Sequence, residues 1–360
     1  MINKHPRVLI VLFATTLAFA TAAWGQKPSP PSINPTPDTV TVNTLPILSL
    51  APMMVADAKG FFTKYNIKVE FTNADIYSRL AVQSQGQLDV NIPGAGAAFF
   101  NAINAGLKLH AVADRQQYRC ASDNLLLART AAYESGLKSV KDLKGKKVAI
   151  LGRGSSTEYW LDLILQKEGM SQSDLAGVAT LGYPDTVNAL KTGAVDAGFL
   201  VEPLAFTLLQ SGEAKRLLAM HQVAPNQEQG LITMSDKFVK ERPDVAARWM
   251  AGWLEGVRYY SNSANRKEVV SIIAAGTKVP EATINSLYGT DQWPYVDPNG
   301  DVDTAVVLSD DAKWLLANKV VTKMPATPDW YDSSVVNAAQ RIVGKVPVSR
   351  DCSTIAPLKN

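Results

Sequence analysis

The sequence predicts an α/β fold with two lobes, each built on a mainly parallel sheet flanked by helices. Short apolar strands alternate with helices in two consecutive runs, the first starting near Thr39 and the second near Val140. The length of 360 residues corresponds to two or three domains of about 100–200 residues each. The composition, 46% hydrophobic and 19% charged, is typical of a globular chain and excludes a disordered chain or a multi-span membrane protein.

The first run alternates strands and helices between residues 40 and 129. Pro52 and Gly60 mark the start and the end of a helix, because proline fits the first helical turn and glycine fits the C-terminal cap. A second helix follows Gly94-Ala95-Gly96 and ends near Gly106. Alternation of apolar and polar residues, or a continuous apolar run, predicts the strands. These are Val40–Ser49, Ile67–Phe71, Leu88–Ile92, Leu107–Ala113 and Asn124–Arg129.

The second run repeats this rhythm, and a helical region follows it. Its predicted strands are Lys147–Leu151, Val178–Leu181 and Val195–Leu200, with helices at 155–169, 185–193 and 203–209. Beyond Gly230, one more strand, Leu231–Met234, precedes helices that must pack on an existing lobe. These are Pro243–Tyr260, Lys267–Ala275, Glu281–Tyr288, Thr304–Ala317 and Ser333–Val343.

Residues 1–25 are predicted to be a cleaved secretory signal peptide. Lys4 and Arg7 precede a largely apolar run, residues 8–20, and small residues that suit a cleavage site follow. A membrane anchor is the alternative, but a run of about 13 residues is short for a ~30 Å bilayer core. No cysteine follows the run closely, so no lipid anchor is expected. The proline-rich residues 26–38 are predicted to be an extended linker.

The charge and cysteine counts argue against two classes of protein. The chain has 36 Lys and Arg against 33 Asp and Glu, and loss of Lys4 and Arg7 with the signal peptide would leave a net charge near +1. A nucleic-acid partner is therefore not expected, because such proteins need a basic surface to displace counterions. The two cysteines and three histidines form no cluster, so no metal site and no cofactor are predicted.

Four short blocks follow one another along the chain in a recognisable order. They are residues 50–62 (LAPMMVADAKGFF) with 65–70 (YNIKVE), 86–90 (GQLDV), 140–149 (VKDLKGKKVA), and 189–198 (ALKTGAVDAG) with Glu202-Pro203. In this order they resemble the solute-binding proteins of the nitrate, sulfonate and taurine class of ABC importers, and are similar to the sulfonate-binding and thiamine-pyrimidine-binding members. The resemblance covers roughly residues 39–218, with a looser fit over residues 230–260.

The resemblance implies a type II periplasmic-binding-protein fold, in which two chain crossings form a hinge and a ligand is enclosed between the lobes. Residues 39–130 and 230–360 would form lobe 1 and residues 131–229 lobe 2, with crossings near residues 129–137 and 218–230. It also implies a monomeric periplasmic protein that captures a small organic anion, such as a sulfonate or an aromatic acid. Such a protein delivers its solute to an ABC permease in the inner membrane.

Two other functions stay open at this point. The first is an enzyme related to the pyrimidine synthases of thiamine biosynthesis, which share the fold but carry a cysteine-rich motif that the isolated Cys120 and Cys352 do not match. The second is a ligand sensor that is not coupled to transport. His110, in a predicted strand, and His221, before Pro225, have no nucleophile-elbow motif nearby, so a protein without catalytic activity is expected.

The loop of residues 152–157 (GRGSST) is the strongest candidate for ligand contact. It opens a helix, and backbone N–H groups at a helix N-terminus together with hydroxyl groups suit an anion. The expected contacts are Gly154, Ser155, Ser156 and Thr157, with Arg153 as an additional charge. The alternative is an ordinary helix cap, because Ser155 and Glu158 fit a capping box.

Further candidates follow other predicted strands, where parallel sheets place their ligands. Glycines in such turns let a ligand approach the backbone, and an acidic group could bind an amine. The alternatives are tight turns, a helix cap at Asp185 and a structural carboxylate at Glu202. Tyr77, Arg79 and Arg115 could reach the cleft, although the surface is the more expected place for them, and Trp160 is expected in the core. The remaining candidates are Ser49, Ala51, Pro52, Gly94, Ala95, Gly96, Tyr183, Asp185 and Glu202.

Cys120 and Cys352 are predicted to form a disulfide bond. Export would place them in an oxidising compartment, where two cysteines of a mature chain tend to pair. In the resembled fold the C-terminal tail returns to lobe 1, where Cys120 is expected. Two separate thiols are the alternative.

Overall fold

Two five-stranded sheets organise the chain. The structure, a computed structural model, describes residues 36–349, so the predicted signal peptide, most of the linker and Cys352 lie outside the described residues. The strands are β1 Asp38–Asn43, β2 Ile67–Thr72, β3 Val90–Asn91, β4 Leu109–Gln117, β5 Asn124–Arg129, β6 Lys147–Ile150, β7 Gly177–Thr180, β8 Ala197–Val201, β9 Ala214–Ala219 and β10 Glu228–Ser235.

Helices cover both sheets within the described residues. They are α1 Ala51–Ala58, α2 Phe61–Lys64, α3 Arg79–Ser84, α4 Ala97–Asn104, α5 Thr130–Glu134, α6 Ser156–Lys167, α7 Tyr183–Thr192, α8 Leu204–Gln210, α9 Met220–Val223, α10 Asp236–Glu241, α11 Pro243–Ser261, α12 Arg266–Thr277, α13 Glu281–Leu287, α14 Thr304–Val306, α15 Ala312–Ala317, α16 Thr327–Trp330 and α17 Ser334–Val343. Among residues 36–349, none of these helices has the length and apolar character needed to cross a membrane.

Both sheets have the same layout. The first has the order β2-β1-β3-β10-β4 and the second the order β7-β6-β8-β5-β9. In each sheet the fourth strand, β10 or β5, runs antiparallel to its neighbours, and the other four strands are parallel to one another. The predicted α/β architecture of two mainly parallel sheets flanked by helices is therefore confirmed.

The chain passes between the sheets at residues 118–123 and 220–227. The predicted first crossing, at residues 129–137, is too late, because β5 pairs with β8 and β9 and so lies in the second sheet. The reason for this error is that every residue of β5 but the last is buried. An apolar pattern of this kind predicts a buried strand without indicating which sheet it joins.

Helix α11 anchors the C-terminal helices to the first sheet. Its apolar residues Val245, Trp249, Trp253, Leu254 and Val257 are buried as predicted, and they pack in one cluster with residues of β1, β3, β4 and β10. A burial of this size supplies most of the stability of an amphipathic helix. This packing covers the first sheet on the side of α11 and leaves the carboxyl ends of its parallel strands to form the site.

Candidate ligand-binding site

A cavity of about 280 Å³ lies between the two sheets. Its lining comes from the carboxyl ends of the parallel strands and from the starts of β5 and β10, which is where open α/β sheets bind ligands. Residues of the first sheet and its loops that line it are Leu45, Ile47, Ser49, Asp75, Ile76, Tyr77, Ile92, Gly94, Arg115, Gln116 and Gln229. Those of the second are Asn124, Leu151, Ser155, Ser156, Thr157, Trp160, Tyr183 and Val201.

Arg115 and Asp75 are the charged residues in the cavity lining, and Arg115 is the cationic one. It lies near the end of β4, and only 6% of its surface is exposed. Its Nη1 donates a hydrogen bond to Ser49 Oγ (2.9 Å), and its Nε is buried without a partner. Among the carboxylates whose side chains the structure describes, none lies within 4.0 Å of its nitrogens, although Asp114 and Asp123 are near enough to interact with its charge. A buried charge without a counterion is costly, so this guanidinium suits a ligand that carries a negative charge.

Asp123 is a fully buried carboxyl group next in sequence to the cavity residue Asn124. Its Oδ1 accepts hydrogen bonds from Gln116 Nε2 (2.5 Å) and Asn124 Nδ2 (2.8 Å). Burial raises the pKa of Asp123, and the hydrogen bond from Gln116 and the charge of Arg115 oppose this rise in part. The net direction favours the neutral acid and weakens Asp123 as a counterion for Arg115.

The loop before α6 forms the facing wall, but its hydroxyl groups are partly committed to the loop itself. Thr157 Oγ1 accepts from Leu151 N (2.8 Å), and Ser155 Oγ donates to Gly152 O (2.6 Å). Ser155 has no side-chain cap hydrogen bond, so the predicted capping box is wrong. Glu158 Oε2 instead accepts from Gly154 N (2.6 Å), which places a carboxylate at the helix N-terminus and offsets its positive end.

Two tyrosines and several apolar side chains complete the cavity. Tyr77 comes from the loop between β2 and α3, and Tyr183 opens α7 in the other sheet. The Tyr183 hydroxyl lies 3.4 Å from Asn124 Oδ1. Trp160 is fully buried and donates from Nε1 to Gln227 Oε1 (2.7 Å). Trp160 is thus a core residue, as expected, and a wall of the cavity at the same time.

The structure brings most of the predicted loop and turn residues to this region. Seven predicted residues line the cavity: Ser49, Tyr77, Gly94, Ser155, Ser156, Thr157 and Tyr183. Ala95, Gly96 and Gly154 border a gap of about 10 Å³ that shares Ser155 and Ser156 with the cavity. At this gap a Cβ on Gly154 would lie 3.3 Å from the Cβ of Ala97, so the two lobes are in close contact there.

Five predicted contacts lie elsewhere. Ala51 and Pro52 are buried in the first turn of α1, and a Cβ on Gly256 of α11 would be 2.6 Å from the Pro52 carbonyl oxygen. Arg153 is exposed and pairs with Glu158 and with Gln172 Oε1 (2.7 Å). Asp185 is exposed in the first turn of α7. These four side chains serve helix packing, a surface ion pair and a helix terminus rather than the cavity.

Glu202 is the fifth and is fully buried. Its Oε2 accepts a hydrogen bond from Phe206 N (2.8 Å) at the start of α8. Burial raises its pKa to about 8, and the Phe206 N–H opposes this rise. The position of Glu202 therefore fits a structural carboxylate at the turn before Pro203, which was the alternative, better than it fits a ligand contact.

Arg115 was expected on the surface, and no pattern in the sequence indicated Gln116, Asn124 or Gln229 as cavity residues. The predicted strand ended at Ala113, whereas β4 continues to Gln117 through four polar residues, all of them buried. A run of polar residues usually predicts a loop. Here it marks the end of a strand that faces a second sheet. The sequence feature that could have indicated this is the position of the polar run directly after a strongly apolar strand.

Known proteins with similar sequences or structures include solute-binding proteins. The riboflavin-binding protein RibY of Chloroflexus aurantiacus is 26% identical over 298 residues, covering 78% of this chain and 79% of that protein. The alkanesulfonate-binding protein SsuA of Xanthomonas axonopodis pv. citri, solved with MOPS, superposes with a TM-score of 0.65 at 18% identity over 82% of this chain and 99% of SsuA.

The same fold also occurs in an enzyme. The desulfurization enzyme DSZB superposes with a TM-score of 0.63 at 15% identity, covering 85% of this chain and 99% of the enzyme. At these identities the superpositions show the fold alone, and they confirm the predicted periplasmic-binding-protein fold.

The sequence of this chain matches the model of a known protein family. The family model described as NMT1/THI5 like matches residues 48–265, which is more than half of the chain. This match spans both sheets and all of the strands that line the cavity except β1. The predicted resemblance to the solute-binding proteins is confirmed, and the chain belongs to the NMT1/THI5-like family.

Proposed function

We propose that this protein is the solute-binding component of an ABC import system and that it binds a small organic anion between its lobes. The observation that carries the proposal is Arg115, a buried guanidinium in the interlobe cavity that forms no ion pair within 4.0 Å with any described carboxylate. A protein tolerates such a group where a ligand supplies the missing charge. The proposed anion site is therefore on Arg115 and Ser49, with Ser156 facing them from the other lobe.

The rest of the cavity indicates the kind of anion. Its wall combines apolar side chains, among them Ile47, Ile92 and Val201, with the rings of Tyr77 and Trp160. A single cationic group beside a mostly apolar wall suits one carboxylate or sulfonate on an aromatic or aliphatic body. The cavity volume of about 280 Å³ lies just below the range of about 300–1,000 Å³ for ligand pockets, which favours a small solute.

The partner, the compartment and the assembly state belong to the same proposal. Solute delivery requires an ABC permease in the inner membrane, and hinge closure at the two crossings would present the loaded form to it. The predicted signal peptide and the similarity to proteins named as binding components support a periplasmic location. We take the protein to be a monomer, with lobe 1 at residues 39–117 and 228–349 and lobe 2 at residues 124–219.

An enzymatic function is the alternative. One group of residues in the structure, Ser122, His221 and Asp291, resembles a catalytic triad. Ser122 Oγ lies 3.2 Å from His221 Nδ1, and His221 Nε2 lies 3.9 Å from Asp291 Oδ2. Ser122 is fully buried, however, and Asp291 is held by two hydrogen bonds from Arg216. These three residues join the two crossings and do not line the cavity, so they have a structural role. A sensor uncoupled from transport would use the same cavity.

We expect benzoate and ethanesulfonate to raise the melting temperature of the mature protein, whereas benzamide does not. Benzamide is the matched neutral control, since it keeps the ring and loses the charge that pairs with Arg115. A ligand present at about 100 times its Kd adds about 2.7 kcal/mol to the free energy of unfolding, and thermal-shift measurements detect this readily. Equal shifts with benzamide, or a shift with riboflavin and none with the anions, would overturn the anionic class.

We also expect the mature protein to contain a Cys120–Cys352 disulfide bond. The loop that it would close is long, for which the loop-entropy model gives about 4–5 kcal/mol of stabilisation. Intact mass after alkylation under denaturing, non-reducing conditions should show no added groups, and the same measurement after reduction should show one on each cysteine. Two alkylated cysteines without reduction would show separate thiols.

A further inference from the structure

We propose that Gly230 is a positioning residue of the anion site, because the absence of a side chain there provides the space in which the Arg115 guanidinium lies. This inference rests on the proposed function and deepens it. It assigns to a residue of β10 the orientation of a charged group on β4, its neighbour in the first sheet.

The contact between the two residues is direct. A Cβ at position 230 would lie less than 3.0 Å from three atoms of Arg115, namely Nη2, Cζ and Nε. The flat face of the guanidinium therefore rests on the glycine backbone. Gly230 pairs with Gln116 across the strands, so Arg115 is one residue away from the register partner and its side chain reaches across β10. Any side chain at position 230 would occupy the place of the guanidinium.

The backbone at position 230 does not itself require glycine. Twelve glycines of the described residues have positive φ, and Gly230 is not among them. An alanine could adopt its backbone conformation without strain. Glycine is therefore needed at position 230 because it has no side chain, and the guanidinium of Arg115 occupies the room that a side chain would take.

The neighbouring backbone holds position 230 in place. Leu231 N donates to Pro93 O (2.9 Å) and Ala95 N donates to Gln229 O (3.3 Å), which ties β10 to the turn after β3. Gly230 also forms a bridge with Gly94, and the register of β10 against β4 shifts on both sides of it. The backbone is held on both sides, so it cannot easily move away from a new Cβ. The clash would instead be relieved by movement of the Arg115 side chain, because its far end moves most easily. The guanidinium would then leave Ser49 Oγ and lose its orientation.

The test is Gly230→Ala in the mature protein, with benzoate and ethanesulfonate as probes. We expect affinity for both to fall roughly 10- to 100-fold, as for the loss of one hydrogen bond to a charged group. The melting temperature without a probe should stay close to that of the parent. Gly177→Ala is the matched control, since Gly177 also lies in a strand but a Cβ there meets nothing within 4 Å. It should change neither quantity.

A second measurement separates positioning from a structural effect. In an Arg115→Ala background, Gly230→Ala should cause no further loss of affinity, because the group that it displaces is absent. A crystal structure of Gly230→Ala without ligand should show the guanidinium moved away from position 230. An unmoved guanidinium, or equal losses of affinity in the presence and absence of Arg115, would overturn the inference.

The outcomes also distinguish this inference from the proposed function. If Arg115→Ala leaves benzoate binding intact, or if the parent binds neither probe, the anionic site itself is wrong and the role of Gly230 falls with it. If Arg115→Ala abolishes binding and Gly230→Ala does not weaken it, the anion site stands and only the role of Gly230 is wrong.

Discussion

Replacing Arg115 with alanine is expected to weaken binding of benzoate by roughly 30-fold to several thousand-fold, which corresponds to about 2–5 kcal/mol for truncating one partner of a buried charge pair. Arg115 is 6% exposed and lies in the cavity wall, so bulk water cannot replace its guanidinium as a partner for the anion. Arg115→Lys should keep part of the affinity, because lysine retains the charge and loses the planar pair of donors. Isothermal titration of the parent and both variants measures these differences.

The same substitution is expected to leave the ligand-free protein at least as stable as the parent. Arg115 contributes one hydrogen bond to Ser49, and against this stands the cost of burying a charge that forms no ion pair within 4.0 Å with any described carboxylate. Loss of binding without loss of stability would identify a group kept for its ligand. A large fall in the melting temperature of ligand-free Arg115→Ala would instead show that Arg115 has a structural role.

Arg119 provides a matched control for this experiment. It is also almost fully buried, at 7% exposure, and lies close to Arg115 in sequence. Its Nη1 donates to the Tyr295 hydroxyl (3.0 Å), and its guanidinium lies 4.8 Å from the centre of the Tyr295 ring. Arg119→Ala should therefore lower the melting temperature and leave benzoate binding unchanged. If both arginine variants lose binding, the effect is one of general charge or folding and not of a specific site.

The sequence predicted the loops that surround this site, but it did not predict the buried position of Arg115. Residues 152–157 and Gly94 were expected at a cleft because they follow strands of a parallel sheet. Gly94 and residues 155–157 do line the cavity, whereas Arg153 is exposed. Their position depends on the βα rhythm alone, which is local information. Arg115 was expected on the surface, because a polar run after an apolar strand usually leaves the core. Its burial depends on the approach of the second sheet, which no local pattern contains.

The misplacement of β5 has the same physical origin. Its residues predict a buried strand correctly, with the bounds Asn124–Arg129. Which sheet it enters depends on its pairing with β8 and β9, and pairing is a long-range property. Gly230 is an extreme case, since a single glycine in a strand predicts a bulge or a close approach without naming the approaching group. In the structure both apply to Gly230: the register of β10 shifts beside it, and the approaching group is the guanidinium of Arg115.

A buried pair of carboxyl groups on β4 and β10, two neighbouring strands of the first sheet, is expected to make the stability of this protein depend on pH. Asp114 of β4 and Glu228 of β10 are both fully buried and close enough to interact directly. Burial raises the pKa of Asp114 to about 7 and, together with the neighbouring carboxyl, raises that of Glu228 well above its usual value. Asp114 Oδ2 accepts from Asp297 N (2.6 Å), and Glu228 Oε2 accepts from Asp303 N (2.9 Å).

The direction of the effect follows from the raised pKa values. In the unfolded chain both groups lose their protons near pH 4, whereas the folded protein retains them to a higher pH. The folded state therefore binds more protons, and its stability falls as the pH rises from about 4 through 7. Arg115 lies beside Asp114 and opposes the rise in its pKa, while the carboxylate of Asp297 adds to it. Neither reverses the direction, because burial has the largest effect.

Glu228→Gln is expected to reduce this loss of stability. The glutamine keeps the shape and an oxygen that accepts from Asp303 N, and its amide can donate to Asp114 in place of the shared proton. At pH 5 the variant and the parent should have similar free energies of unfolding, and at pH 8 the variant should be more stable by at least about 1 kcal/mol, since one pKa unit is worth 1.36 kcal/mol. Denaturant titrations at the two pH values measure the difference. Glu70→Gln is the control, because Glu70 is exposed and forms a surface ion pair with Lys68, and it should follow the parent at both pH values. A Glu228→Gln variant that loses stability between pH 5 and pH 8 as steeply as the parent would show that the pair does not hold its proton in the folded protein.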